Sequence, residues 1–131
     1  MRPEAKQESG EWLERAELDL RLAERALQIP PALAGGAAYH AQQAAEKALK
    51  AFLAAHDQPF PPTHNLNVLL PLCESLDADF QEFTRVSGVL TPYATQFRYP
   101  GGPIEPEVVD AKAALEDASG LVEFVRHRLH L

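Results

Sequence analysis

Three proline-rich breaks cut this chain: Pro30-Pro31, Pro59-Phe60-Pro61-Pro62 and Pro100-Gly101-Gly102-Pro103. No helix passes through such a run, because proline lacks the N–H the next turn needs and restricts the residue before it. Between the breaks, apolar residues recur every three or four positions, and no stretch alternates as a strand does. Such a chain is predicted to fold as antiparallel helices folded back at the breaks.

The first helix is read over Glu11–Ile29, with Trp12, Ala16, Leu20, Ala23 and Leu27 inward and mostly charged residues between them. Residues 1–10 are polar and mixed in charge and are set apart as a flexible N-terminus. A link from Ala32 to Gly36 leads to a second helix, about Ala37 to His56, whose apolar set is Ala41, Ala44, Ala45, Ala48, Leu49, Phe52 and Leu53. Small alanines there admit a close helical neighbour. The other side carries His40, Gln43, Lys47 and Lys50, a basic and polar stripe, and Glu46 pairs with Lys50 one turn on.

Beyond the second break, Thr63 or Asn65 caps a short helix through Leu66, Leu69, Leu70 and Cys73, with Pro71 inside it. A fourth main helix opens at Asp77 or Asp79 and turns Phe80, Phe83, Val86, Leu90, Tyr93 and Phe97 inward, bending at Gly88 and Pro92. The last begins near Glu105, with Pro106 in its first turn and Val108, Ala111, Leu115, Ala118, Val122, Val125 and Leu129 as its core stripe. The expected fold is an all-α, antiparallel up-and-down four-helix bundle with an additional short helix, forming a single domain over residues 11–131.

Twelve Lys and Arg against nineteen Asp and Glu leave a net charge of −7, which opposes general attraction to nucleic-acid phosphates. No stretch nears the ~18 apolar residues of a membrane span. A lone Cys73 cannot form an internal disulfide, so a cytoplasmic location is expected. Several familiar chemistries are absent: no Glu stands three places before any of the five His residues, as a di-iron bundle requires, and Gly35-Gly36 and Gly101-Gly102 lack phosphate-loop spacing. Glu123, His127 and His130 lie at a terminus and are read as solvated rather than metal-binding. Neither a metal nor a cofactor is expected.

What remains is Tyr39-His40-Ala41-Gln42-Gln43-Ala44-Ala45-Glu46-Lys47-Ala48-Leu49-Lys50, then His64-Asn65-Leu66, then Phe97-Arg98-Tyr99-Pro100. In this order the segments resemble the HEPN family, α-helical domains named for higher eukaryotes and prokaryotes nucleotide binding, across nearly the whole chain. The resemblance implies an antiparallel helical bundle, frequent homodimers, and frequent pairing with a minimal nucleotidyltransferase protein in two-gene, toxin–antitoxin-like modules. Many members look like metal-independent RNases that use Arg, four to six residues, then His. Arg98 occupies that Arg position, but Pro103, Ile104 and Glu105 stand where His would fall. The departure removes the residue best suited to proton transfer near neutral pH, so no catalytic residue is expected.

The candidate ligand-binding residues are Arg98, Tyr99, His40, Lys47 and Lys50. Arg98 is either a nucleotide-phosphate ligand, its planar fork matching oxygen anions, or a structural partner of a carboxylate such as Glu46. Tyr99 is placed to stack a base, while His40, Lys47 and Lys50 either line the same cleft or form a solvated face. His64 settles the start of the third helix, and Trp12 is an anchor in the core or at a dimer interface. The favoured function is a non-catalytic module that binds a nucleotide, a nucleotidyltransferase partner, or both. The alternative is an RNase of altered active site, with Arg98 on the phosphate and Glu105 or His64 moving protons. An alanine-rich bundle with apolar surface to spare is also expected to form a homodimer.

Overall fold

The structure is a computed structural model and describes residues 1–95 and 105–131. Among these, five α-helices and two 3₁₀ turns account for most of the described residues: α1 (Pro3–Gln28), α2 (Ala34–Ala55), α3 (Leu66–Glu74), α4 (Thr84–Leu90) and α5 (Val108–Leu129), with 3₁₀ turns at Ala78–Phe83 and Thr91–Ala94. No strand occurs among the described residues.

α1 starts at Pro3, well before Glu11, so most of the segment set apart as a flexible N-terminus is helical. Proline opens the first turn at no hydrogen-bonding cost, Ala5 and Ser9 continue the buried stripe into that turn, and Arg2 pairs with Asp57 at 2.5 Å. α2 likewise begins earlier than expected, taking Gly35 and Gly36 into its first turn.

Contacts along the helices fix their directions. Arg2 meets Asp57, the Lys50 ammonium lies over the Trp12 ring at 5.6 Å, and Asp19 holds His40 and Lys47. Residue numbers rise on α2 as they fall on α1, so the two are antiparallel. At one end of the core Ala23, Ala34, Ala37, Ala38 and Ala111 share a cluster. At the other, Phe52 stacks edge-on against Phe80, which meets Phe124. α5 therefore runs parallel to α2 and packs directly on it, while α1 runs against both.

The expected apolar set of α2 is buried throughout, with Ala41, Ala44, Ala45, Ala48, Leu49 and Leu53 all at 0% exposure. Alanine at so many contact positions lets α1 and α5 both approach the α2 backbone. On α5 the stripe is broader than its predicted seven residues, adding Ala114 and Leu121, whereas Val108 is exposed. Glu107 is the N-cap of α5, in a capping box with Asp110, so Pro106 stands just before the helix rather than in its first turn.

The fourth main helix is replaced by a 3₁₀ turn, the seven-residue α4 and a second 3₁₀ turn. Spacing of three eclipses residues i and i+3 in a 3₁₀ turn. Phe80 and Phe83 thus both face Phe124, at ring-centroid distances of 5.0 and 4.9 Å, which α-helical geometry would splay by about 60°. Pro92 ends the continuation after Leu90, and Gly88 lies inside α4 instead of at a bend. α3 tolerates Pro71 within its nine residues, capped by Asn65, whose side chain accepts the Asn67 amide. The bundle thus has three long helices, with two short ones and the turns filling the remaining side.

Candidate functional site

The polar residues of α2 do not form a solvated stripe. Gln42, Gln43, Glu46 and Lys50 are buried, and Lys47 and His40 are half-buried. Two carboxylates organise them. Buried Asp19, from α1, accepts from the Lys47 ammonium at 2.5 Å and holds His40 Nδ1 at 2.9 Å, and Tyr39 packs edge-on against the His40 ring. A carboxylate in an apolar interface persists only when paired and hydrogen-bonded, and both Asp19 oxygens are so engaged.

Between His40 and Lys47 along α2, Glu46 does the same with three partners. Its Oε2 accepts from Lys50 Nζ at 2.9 Å, and its Oε1 accepts from His64 Nδ1 at 2.8 Å and from Gln42 Nε2 at 3.4 Å. Gln42 Nε2 also donates to the His64 backbone carbonyl at 2.8 Å, and Gln43 Nε2 donates to Gln42 Oε1 at 2.6 Å. The Lys50 ammonium lies 5.6 Å from the Trp12 ring and 5.9 Å from Phe60, two rings that meet edge-on, an arrangement that shields the ion pair from water. This network ties the extended segment between α2 and α3 onto the middle of α2.

His64 differs from its neighbours in exposure. Its side chain is 66% exposed while Glu46 beneath it is 4% exposed. With Nδ1 committed to the carboxylate, Nε2 is the ring nitrogen left for an outside group, a carboxylate-oriented imidazole of the kind used for proton transfer or ligand contact. Glu105 approaches the other end of α2: its Oε1 lies 3.0 Å from where a Cβ on Gly35 would sit. Eleven residues of helix separate Gly35 from Glu46, about 16 Å at 1.5 Å per residue, so Glu105 and His64 do not share one site.

Three of the five sequence candidates are thus accounted for. His40 and Lys47 share Asp19, and Lys50 belongs to Glu46, so the expected cationic cleft is internally neutralised at these positions. Arg98 and Tyr99 lie outside the described residues. Trp12 is a core-edge anchor over Lys50. Asp19 and Gln42 were not singled out by sequence reasoning. The signal was present for Asp19, which falls three residues after Ala16 and four before Ala23, on the inward face of α1.

Cys73 is buried, and burial pushes its thiol up to about 12, which removes the thiolate a nucleophile requires. No cluster of three or more His, Cys, Asp or Glu suited to a metal ion occurs among the described residues, and no helix there is long and apolar enough to cross a membrane.

The family model of the HEPN domain matches residues 9–128, nearly the whole chain. The chain belongs to the HEPN domain family. Its fold is similar to that in the crystal structure of TT1696 from Thermus thermophilus, with a TM-score of 0.73 and 31% identity over 91% of this chain and 96% of that one. No curated protein matches. The HEPN match runs from the first turns of α1 to the end of α5, and so includes both carboxylate centres and His64.

Proposed function

We propose that this chain is a non-catalytic HEPN module that acts by holding a protein partner, the minimal nucleotidyltransferase of a two-gene, toxin–antitoxin-like system. The observation that carries the reading is the internal use of the α2 cations: His40, Lys47 and Lys50 are spent on Asp19 and Glu46. Recruiting them to a phosphate would strand a buried carboxylate, at a cost of about 3–5 kcal/mol for each broken pair. The missing His after Arg98 points the same way, because the proton-transfer group of the family's RNases has no counterpart at Pro103, Ile104 or Glu105. Any nucleotide would be held by Arg98 and Tyr99. The test is purification of a tagged chain under native conditions from cells that encode it. A nucleotidyltransferase in stoichiometric amount is expected, and its absence at physiological salt would overturn the reading.

A second reading is favoured by one observation, the exposed His64 imidazole seated on buried Glu46. In it the chain is an RNase of altered active site, with His64 as the general acid–base. Cleavage of single-stranded RNA that disappears in His64→Ala would establish it. RNA left intact over long incubation would remove it.

A further inference from the structure

We propose that the groove between the first 3₁₀ turn and the outer side of α5, floored by Phe83 and Phe124, is a docking site for an arginine side chain carried by another protein. The inference concerns a different face from the α2 network and does not depend on which partner the module holds.

The groove follows from the spacing on α5. At about 100° per residue, Gly120, Glu123, Phe124 and His127 share an arc of about 100°, and Glu82 and Phe83 reach the same side from the end of the 3₁₀ turn. Together with Arg128 they border a shallow space of about 550 Å³. Gly120 widens it: an added Cβ there meets nothing within 4 Å, which leaves room for a side chain to lie against the α5 backbone. The Phe83 and Phe124 rings meet edge-on at 4.9 Å. Half-buried Phe83 has no other ring and no cation against it among the described residues.

The fold already shows what this floor takes. The Arg128 guanidinium carbon lies 4.6 Å from the centroid of the Phe124 ring, and its terminal nitrogens donate to Asp77 at 2.6 Å and to Asp79 at 2.7 Å. A ring beneath and carboxylates at the rim is the setting a planar guanidinium favours. The other half of the groove repeats these parts without the cation. Phe83 supplies the ring, and Glu82 and Glu123 supply the carboxylates, both exposed and neither in an ion pair or hydrogen bond among the described residues. With His127 neutral, four carboxylates against the one guanidinium of Arg128 leave a local net charge of −3. Such a rim repels phosphates and acidic segments and attracts a cation. Arginine is selected over lysine because the ammonium is a strongly hydrated point charge and neither stacks flat on a ring nor spans two carboxylates as a fork does.

The test is titration of the isotope-labelled full chain, followed by amide NMR shifts at moderate salt, with a blocked five-residue peptide holding two arginines among serine and glycine, and with its lysine twin. The arginine peptide should move the amides of Glu82, Phe83, Gly120 and Glu123. It should bind at least about threefold more tightly than the lysine twin, and weaken as salt is raised. Gly120→Gln fills the groove without altering charge and should weaken binding about tenfold, while Glu82→Lys/Glu123→Lys should abolish it by like-charge repulsion. Glu14→Lys/Glu24→Lys makes the same change of net charge at exposed positions of α1 and should leave the affinity within about twofold, since distant surface charges are screened. Helical circular dichroism and melting close to wild type would show that the variants fold. Shifts spread over the whole surface, a Gly120→Gln variant that binds as the wild type does, equal losses in the two charge-reversed doubles, or a lysine twin that binds as tightly would each overturn the proposal.

Discussion

Replacing Glu46 by Gln keeps the size and one acceptor of the side chain and removes its charge. The Lys50 ammonium, 9% exposed beside a 4% exposed carboxylate, would then sit between the Trp12 and Phe60 rings with no counter-ion, and His64 would lose its anionic acceptor. Breaking a buried pair by removing one member costs about 3–5 kcal/mol. Lys50 has a flexible stem and some route to water, so the lower end, about 3 kcal/mol, applies. An unfolding entropy of roughly 2.1 cal/mol/K per residue gives about 275 cal/mol/K for 131 residues, so the melting temperature should fall by about 11 °C. A double-mutant cycle separates charge from shape: Glu46→Gln/Lys50→Met should recover at least half of the loss, since an apolar pair of similar volume satisfies the same space. Urea denaturation of the four proteins reads both quantities. A loss below about 1 kcal/mol for Glu46→Gln, or a double variant no better than the single, would refute the idea that an enclosed ion pair organises this part of α2.

Cys73, held at 0% exposure with its thiol pushed up to about 12, should stay unreactive toward a disulfide reagent at pH 8 and be titrated fully in denaturant; rapid labelling of the native protein would contradict its burial. Gly120 lies within α5 with nothing within 4 Å of an added Cβ, so Gly120→Ala should raise stability by about 0.5–1 kcal/mol in the same denaturation assay, and a loss would show an unrecognised close approach there. Phe80→Ala should cost about 3–5 kcal/mol, because its fully buried ring bridges Phe52 and Phe124; a cost under 1 kcal/mol would mean that the 3₁₀ turn does not anchor the bundle's end. The Arg2 guanidinium holds the Asp57 carboxyl below its ordinary value, so their pairing stabilises the fold above the unfolded carboxyl's range and is lost as pH falls through the folded value. Arg2→Ala should therefore lose less stability than wild type on acidification below about pH 4, and identical acid limbs would contradict the pairing.

The three long helices were legible because their apolar spacing is regular, and the α2 core positions were read correctly at every residue named. Boundaries were less so: Pro3 and Gly35-Gly36 look like breakers in sequence, yet a helix's first turn has no internal bonds for them to disrupt. The segment from Asp77 to Ala94 misled because Phe80, Phe83 and Val86 fit a helical stripe, while the ring contacts with Phe124 select the tighter 3₁₀ turn, a tertiary effect. The basic stripe on α2 misled differently. Periodicity shows which residues share a face but not what covers it, and here α1 brings Asp19 onto Lys47 and His40. His64 stands next to the Asn65 cap of α3, but its side chain pairs with Glu46 across eighteen residues, a contact that leaves no local trace.

The central claim is that the α2 cations are spent inside the fold and the module works through a protein partner rather than a nucleotide. Thermal melting of the wild type and Arg98→Ala against a panel of nucleotides at millimolar concentration tests it most directly. A nucleotide at ~100 times its dissociation constant would add about 2.7 kcal/mol, close to 10 °C for a domain of this size. The account predicts shifts below about one degree in both proteins. A shift of several degrees in the wild type that vanishes in Arg98→Ala would contradict it and make the domain a nucleotide binder.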